Sequence, residues 1–111
     1  MAIGMGAKLI LLSLLLVSCR GPDLMDLNTN DDGDCALVAE KFAIEMSDDT
    51  PTVVRVYKWY APSRKHVSFM RAAAFRTAFS QDPGHYKFAF EECSDRADKD
   101  PRFEQIVGKK P

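Results

Sequence analysis

The chain has 111 residues, of which 46% are apolar, and its 15 basic and 16 acidic side chains leave a net charge of −1. We expect a chain of this length to form one small domain with a limited core. The charge is unevenly placed, because residues 20–49 carry nine acids and two bases whereas residues 50–81 carry six bases and no acid.

The first 18 residues have the three-part layout of a secretory signal. Lys8 gives the start of the chain a positive charge, and residues 9–17 are apolar except for Ser13. A membrane-spanning helix needs about 20 apolar residues, roughly twice the length of this run. We therefore interpret residues 1–18 as a signal peptide that directs export.

Cys19 ends the run Leu16-Val17-Ser18-Cys19, which resembles the lipobox of bacterial lipoproteins at all four positions. The resemblance implies cleavage before Cys19, acylation of Cys19 and anchoring to a membrane of the cell envelope. Arg20 stands where enterobacterial lipoproteins of the inner membrane carry Asp, which favours the outer membrane. The alternative is an ordinary signal peptide cleaved after Ser18, which would give a secreted protein.

The chain has three cysteines, and an acylated Cys19 leaves Cys35 and Cys93 to pair. An exported protein meets the oxidising conditions that a disulfide needs, and this one would contribute about 4 kcal/mol in the chain-entropy model. A metal site made of Cys35, Cys93, His66 and His85 is the competing interpretation. Because these residues lack zinc-ligand spacings such as C-x-x-C, we expect neither a metal nor another cofactor.

Residues 19–34 are rich in Asp, Asn and Gly, and we expect them to form an acidic, flexible tether between lipid and domain. Residues 28–34 partly match the start of a calcium loop, D-x-[DN]-x-[DN]-G. Asn28 replaces the first Asp, and Ala39 stands where the bidentate Glu is expected. We therefore favour a polar linker that ends in a helix N-cap at Asp34.

The rest of the chain predicts two helices and three strands. Residues 35–46 carry apolar side chains at steps of three and four, which predicts a helix. Residues 52–60 are rich in β-branched and aromatic side chains, which predicts the first strand. Residues 66–79 would place four apolar odd-numbered side chains on one face of a second strand, together with Ala73: Val67, Phe69, Phe75 and Phe79. In residues 85–93, which predict the third strand, alternate positions are aromatic: Tyr86, Phe88 and Phe90. The three alanines of residues 66–79 also favour a helix. Asp100-Pro101 starts a short helix that Gly108 ends.

These elements predict an α+β domain over residues 35–108, followed by a polar tail at 109–111. Its N-terminal helix would pack on a three-stranded antiparallel meander, a topology that brings Cys35 to Cys93. The arrangement resembles the cystatin fold, and residues 39–45 are similar to the cystatin helix. The inhibitory Q-x-V-x-G motif is missing, because the corresponding turn reads Trp59-Tyr60-Ala61-Pro62-Ser63.

No catalytic constellation is visible, so we expect a protein that is not an enzyme. His66 and His85 lack a neighbouring nucleophile, and the adjacent Glu91 and Glu92 would point to opposite faces of a strand. Aromatic and basic residues together suit an interface, which favours a partner-contact loop. That loop comprises Trp59, Tyr60, Arg64, Lys65 and His66, although Trp59 would serve equally well in the core.

The basic segment 50–81 has two interpretations. Its side chains either pair with the acidic helix or bind an anionic envelope component or the acidic surface of another envelope protein. Nucleic acid is not expected in this compartment. The leading hypothesis is a small envelope lipoprotein that binds such a component or protein. A cystatin-like hydrolase inhibitor and an accessory lipoprotein of a secretion or phage-exclusion system are the alternatives.

Overall fold

The computed structural model describes residues 24–46 and 50–109, and over these ranges the chain is helical with no strand. The α-helices are α1 (Asp32–Glu40), α2 (Pro51–Tyr60), α3 (Phe69–Gln81), α4 (Lys87–Asp98) and α5 (Phe103–Val107). A π-helical turn, Lys41–Glu45, extends α1, and 3₁₀ turns at Ala61–His66 and Pro83–Tyr86 connect later helices. The predicted α+β fold with a three-stranded meander is therefore wrong. The predicted signal peptide and Cys19 lie outside the described residues.

Helix α1 begins three residues before the predicted helix and is the central element of the domain. Its N-cap is Asp31 and not Asp34, because a carboxylate oxygen of Asp31 accepts the backbone N–H of Asp34 at 3.0 Å. Every residue from Asp34 to Ala39 is buried. Helix α1 contacts α2, the first 3₁₀ turn and α4, so it is enclosed on several sides and does not lie on a sheet with one face exposed.

The first predicted strand is helix α2. The hydroxyl of Thr50 accepts the N–H of Val53, and Pro51 occupies the first turn, where its missing N–H and fixed φ suit a helix start. The buried residues Val53, Val56 and Tyr60 follow at helical steps of three and four. Local β-propensity is overridden here because one stripe of the helix packs into the core.

The second predicted strand is replaced mainly by helix α3. Its buried side chains, Ala72, Phe75, Ala78 and Phe79, recur at steps of three and four residues, which is a helical spacing. Phe69 belonged to the predicted inner strand face but is 76% exposed. The hydroxyl of Ser68 caps the helix by accepting the N–H of Arg71 at 3.1 Å.

The third predicted strand falls on the second 3₁₀ turn and on helix α4. Asp82 caps the turn by accepting the N–H of His85 at 3.3 Å, and Pro83 follows the cap. Buried positions then recur at steps of four, three and four, on the side chains of Tyr86, Phe90, Cys93 and Ala97. Phe88, which the strand pattern placed beside Tyr86 and Phe90, is 68% exposed.

Helix α5 lies where the sequence predicts a short C-terminal helix, but it begins at Phe103 and its N-cap is Arg102 and not Asp100. Gly108 ends it with a φ of 95°, in the left-handed region where glycine is favoured. Phe103 is buried beneath the guanidinium of Arg55 and meets the ring of Trp59 edge-on, with ring centroids 5.4 Å apart. Arg55 also donates two hydrogen bonds to the carbonyl of Gly108, so α2 holds both ends of α5.

A disulfide and a cluster of rings form the centre of the core. The bond joins Cys35 of α1 to Cys93 of α4, and both residues are fully buried. The sheet topology was not needed for this pairing, because the buried faces of two helices bring the cysteines together. The same buried cluster contains five aromatic side chains from the π-helical turn, α3, the second 3₁₀ turn and α4, which pack on one another at centroid distances of 4.8–6.0 Å: Phe42, Phe75, Phe79, Tyr86 and Phe90.

Candidate functional site

The five residues of the predicted contact loop do not share one surface. Tyr60 is buried, and its hydroxyl donates a hydrogen bond to the carbonyl of Cys93 at 2.8 Å. Trp59 is partly buried against Phe103 of α5. The end of α2 therefore presents these rings to the domain itself, and Tyr60 contributes no contact area for a partner.

The basic part of the predicted loop lies on the 3₁₀ turn after α2. Arg64 is partly buried and donates to a carboxylate oxygen of Glu40 at 3.3 Å, which links the turn to α1. Lys65 and His66 are exposed. These two residues are what remains of the predicted loop at the open surface.

Two residues that sequence reasoning missed extend this surface. Phe69 and Met70 open helix α3 and are 76% and 77% exposed, shortly after His66 in the chain. Interpreting residues 66–79 as a helix would have indicated this exposure, because a buried stripe through Ala72 and Phe75 leaves Met70 on the opposite side of the helix. We define the contact surface as Lys65, His66, Phe69 and Met70.

A polar cleft of about 610 Å³ lies beside the contact surface, between the first turn of α1 and the start of α3. Its lining residues are Asp31, Asp32, Gly33, Asp34, Ser63, His66, Val67, Ser68 and Arg71. Gly33 allows the close approach of the two segments, because a Cβ there would lie only 3.0 Å from a methyl group of Val67.

An ion pair lines the cleft and connects its two walls. Arg71 donates to both carboxylate oxygens of Asp34, at 2.7 and 2.6 Å, and Asp34 also accepts the N–H of Asn28 at 2.8 Å. Burial opposes ionisation of Asp34, but the hydrogen bonds from Arg71 and Asn28 outweigh it and hold the pKa of Asp34 below its ordinary value. The hydrogen bond to Asp34 raises the pKa of Arg71. Both groups are therefore charged at neutral pH, so the pair has a structural role and does not exchange protons there.

Within residues 24–46 and 50–109, the side chains considered above as catalytic or metal-binding do not form a common site. His66 and His85 are exposed, and the two cysteines of these ranges are joined to each other. In the same ranges, no three His, Cys, Asp or Glu side chains lie close enough together to hold a metal ion. The carboxylate of Asp34, which falls in the calcium-like sequence, is occupied by Arg71 and by the backbone.

The described part of the predicted tether lies along helix α4. The N–H of Met25 donates to the hydroxyl of Tyr86 at 2.8 Å, and the carbonyl of Thr29 accepts from Arg96 at 2.6 Å. The hydroxyl of Thr29 also donates to Glu92 at 3.2 Å. A shallow groove of about 320 Å³ separates this segment from the start of α4, with Met25 and Phe88 among its lining residues.

None of the helices in the described ranges is long and apolar enough to cross a bilayer. Comparison of the chain with protein-family models, with curated proteins and with solved structures finds no match.

Proposed function

We propose that this chain is a lipid-anchored protein of the bacterial cell envelope that binds another envelope protein and catalyses no reaction. The observation that carries the binding role is the contact surface, where two large apolar side chains are three-quarters exposed and closely follow the exposed Lys65 and His66 in the chain. The anchor is proposed from the lipobox-like run that ends at Cys19.

The disulfide supports the proposed anchor through the cysteine count. The chain has three cysteines, and Cys35 and Cys93 are bonded to each other in the core. Cys19 is thus left outside the pair, at the position where lipoproteins carry their acyl chains. Several acyl chains on one residue give a stable anchor, because each buried methylene contributes about 0.8 kcal/mol. With Arg20 after the cysteine, we propose the outer membrane as its location.

The chemistry of the contact surface favours a protein partner over an anionic polymer. Aromatic side chains and Met are enriched at protein interfaces, where they fill apolar pockets. Phe69 and Met70 would offer nothing to a polysaccharide bound through charge alone. Lys65 and His66 suit acidic residues at the rim of the partner's pocket. The inhibitor alternative loses its support, because the helix-on-sheet arrangement on which the cystatin resemblance rested is absent from the described residues.

A matched pair of variants of the full chain tests this proposal. Phe69→Ser with Met70→Ser removes the apolar part of the contact surface, and Ile106→Ser removes a similarly exposed apolar side chain on α5. Chemical cross-linking in intact cells, followed by purification of the chain, would identify the protein bound to the wild type. We expect the same protein with the Ile106 variant and a loss of at least tenfold with the double variant. Equal yields from both variants, or no cross-linked protein with the wild type, would contradict the proposal.

A further inference from the structure

We infer that the anchored domain rests on the bilayer with one defined face, formed by Leu24, Met25 and Phe88, which we term the membrane face. The inference rests on the proposed acylation of Cys19 and adds an orientation to it. It follows from two observations, the short connection between Cys19 and the domain and the exposed apolar side chains at the place where that connection ends.

The connection is shorter than the predicted tether. Met25 is hydrogen-bonded to Tyr86, and Thr29 is hydrogen-bonded to Arg96, so the chain follows the surface of the domain from Met25 onward. Cys19 precedes Leu24 by five positions. Because an extended chain spans at most about 3.6 Å per residue, the acylated residue lies within roughly 18 Å of Leu24. The point of attachment therefore keeps Leu24 within that distance of the membrane.

Exposed apolar side chains occupy that end. Phe88 is 68% exposed and Leu24 is 39% exposed, and Phe88 lines the same groove as Met25. Phe and Leu side chains on a protein surface can be buried at the boundary between lipid headgroups and acyl chains, as they are on interfacial amphipathic helices. Once the acyl chains hold the domain at the surface, Phe88 and Leu24 gain apolar contact by turning toward the bilayer.

Charge does not drive this orientation. The groove also contains Asp26 and Glu92, whereas Lys87 is exposed beside Phe88. A surface of mixed sign gives no strong attraction to anionic lipid, so the orientation should also hold on zwitterionic phosphatidylcholine. This separates the membrane face from a polybasic binding patch, which needs anionic lipid.

Photo-cross-linking to lipid tests the orientation in the full chain. Phe88→p-benzoylphenylalanine places a photoreactive ring on the membrane face. Ile106→p-benzoylphenylalanine is the matched control, because Ile106 is 63% exposed on α5, which follows the C-terminal end of α4, whereas Phe88 lies in the first turn of α4. Each protein would be purified from membranes, checked for acylation by intact mass, placed in phosphatidylcholine vesicles and irradiated.

We expect lipid adducts at position 88 in several-fold excess over position 106. Equal yields at the two positions, or none at either, on a chain that carries acyl groups would overturn the membrane face and leave the anchor intact. A chain without acyl groups would overturn both the anchor and the orientation, because the orientation depends on attachment of the domain to the membrane through Cys19. Both substitutions are at exposed sites, so the fold should persist.

Discussion

The guanidinium of Arg71 holds both carboxylate oxygens of Asp34, and this pair joins the first turn of α1 to the first turn of α3. The Asp34 side chain is 4% exposed and that of Arg71 is 42% exposed, so the carboxylate depends on its partner while the cation keeps contact with water. The pair fixes the spacing of the cleft walls beside the contact surface.

Arg71→Ala should destabilise the domain because it leaves a buried carboxylate without its cation. Loss of one partner of a buried pair costs about 3–5 kcal/mol, and the partial exposure of Arg71 reduces this to about 1–3 kcal/mol. Arg71→Lys should lose less, since it keeps the charge but not the two-point geometry. Urea unfolding would measure the changes. Arg76→Ala, an exposed change on the same helix, should shift stability by no more than about 0.5 kcal/mol, and an equal loss in both variants would contradict the role of the pair.

Acid should destabilise the protein through Asp34 and Asp100. Hydrogen bonds from Arg102 lower the pKa of Asp100 from 3.8 to about 2, and the pKa of Asp34 is lowered for the reasons given above. A carboxyl whose pKa is lower in the folded state stabilises that state above its unfolded pKa, and this stability is lost as the pH falls through the folded value. We therefore expect the melting temperature to fall between about pH 4 and pH 2.

Arg71→Ala and Arg102→Ala should each make that acid transition shallower, because each removes the side-chain hydrogen bonds that favour one carboxylate. Thermal melts from neutral to acid pH would compare them with Arg76→Ala. Slopes that match the wild type in both variants would show that other groups control the acid sensitivity.

Tyr60→Phe tests the buried hydrogen bond between α2 and α4. Loss of the bond from the Tyr60 hydroxyl to the carbonyl of Cys93 should cost about 0.5–1.5 kcal/mol. Burial, with a smaller effect from Asp100 and Asp98, raises the pKa of Tyr60 from 10.0 to about 12. Because the folded pKa is the higher one, stability from this group is lost as the pH rises from about 10 to about 12.

The alkaline loss that belongs to Tyr60 should vanish in the Phe variant. An ultraviolet absorbance titration, taken as the difference between wild type and variant, would give the ionisation of Tyr60 alone. A difference curve centred at the ordinary pKa of tyrosine would show that the hydroxyl is open to solvent, against the structure.

Removal of the disulfide should cost much of the domain's stability. The bond links residues 58 positions apart, and a native disulfide in a small exported domain typically contributes about 2–4 kcal/mol. Cys35→Ala with Cys93→Ala should lower the free energy of unfolding by that amount. Reductant should then leave the variant unchanged while it destabilises the wild type. A wild type that unfolds identically with and without reductant would contradict this account.

The error in the fold prediction has a physical cause. Residues 52–60 have strong local β-propensity, but the hydrophobic stripe of Val53, Val56 and Tyr60 fits a helix, and packing decides. In the other two segments, the predicted inner strand faces included Phe69 and Phe88, both of which are exposed. The remaining buried side chains of these segments also fit a helical spacing.

Helix start signals in the sequence could have corrected the prediction. Asp100-Pro101 was interpreted as a capped start, and Thr50-Pro51 and Asp82-Pro83 carry the same pattern of a capping side chain before proline. All three precede helical segments in the structure. A capping side chain before proline is a more local signal than the alternation of apolar and polar residues. The cap depends on one hydrogen bond and on the fixed φ of proline, whereas the alternation depends on which side of the segment faces the core.

The candidate site was predictable in part. The uneven charge indicated pairing between the basic segment and the first helix, and Arg64 and Arg71 do pair with Glu40 and Asp34. The exposure of Phe69 and Met70 was missed because residues 66–79 were interpreted as a strand with Phe69 on its inner face, whereas a helix that buries Ala72 and Phe75 leaves Met70 on its outer side.

Intact-mass measurement of the chain purified from the membrane fraction tests the proposed anchor most directly, and the proposed orientation of the domain depends on that anchor. We expect a chain that begins at Cys19, carries covalent acyl groups on that residue and retains the disulfide between Cys35 and Cys93. A soluble chain without lipid that begins at Arg20 or earlier would contradict it.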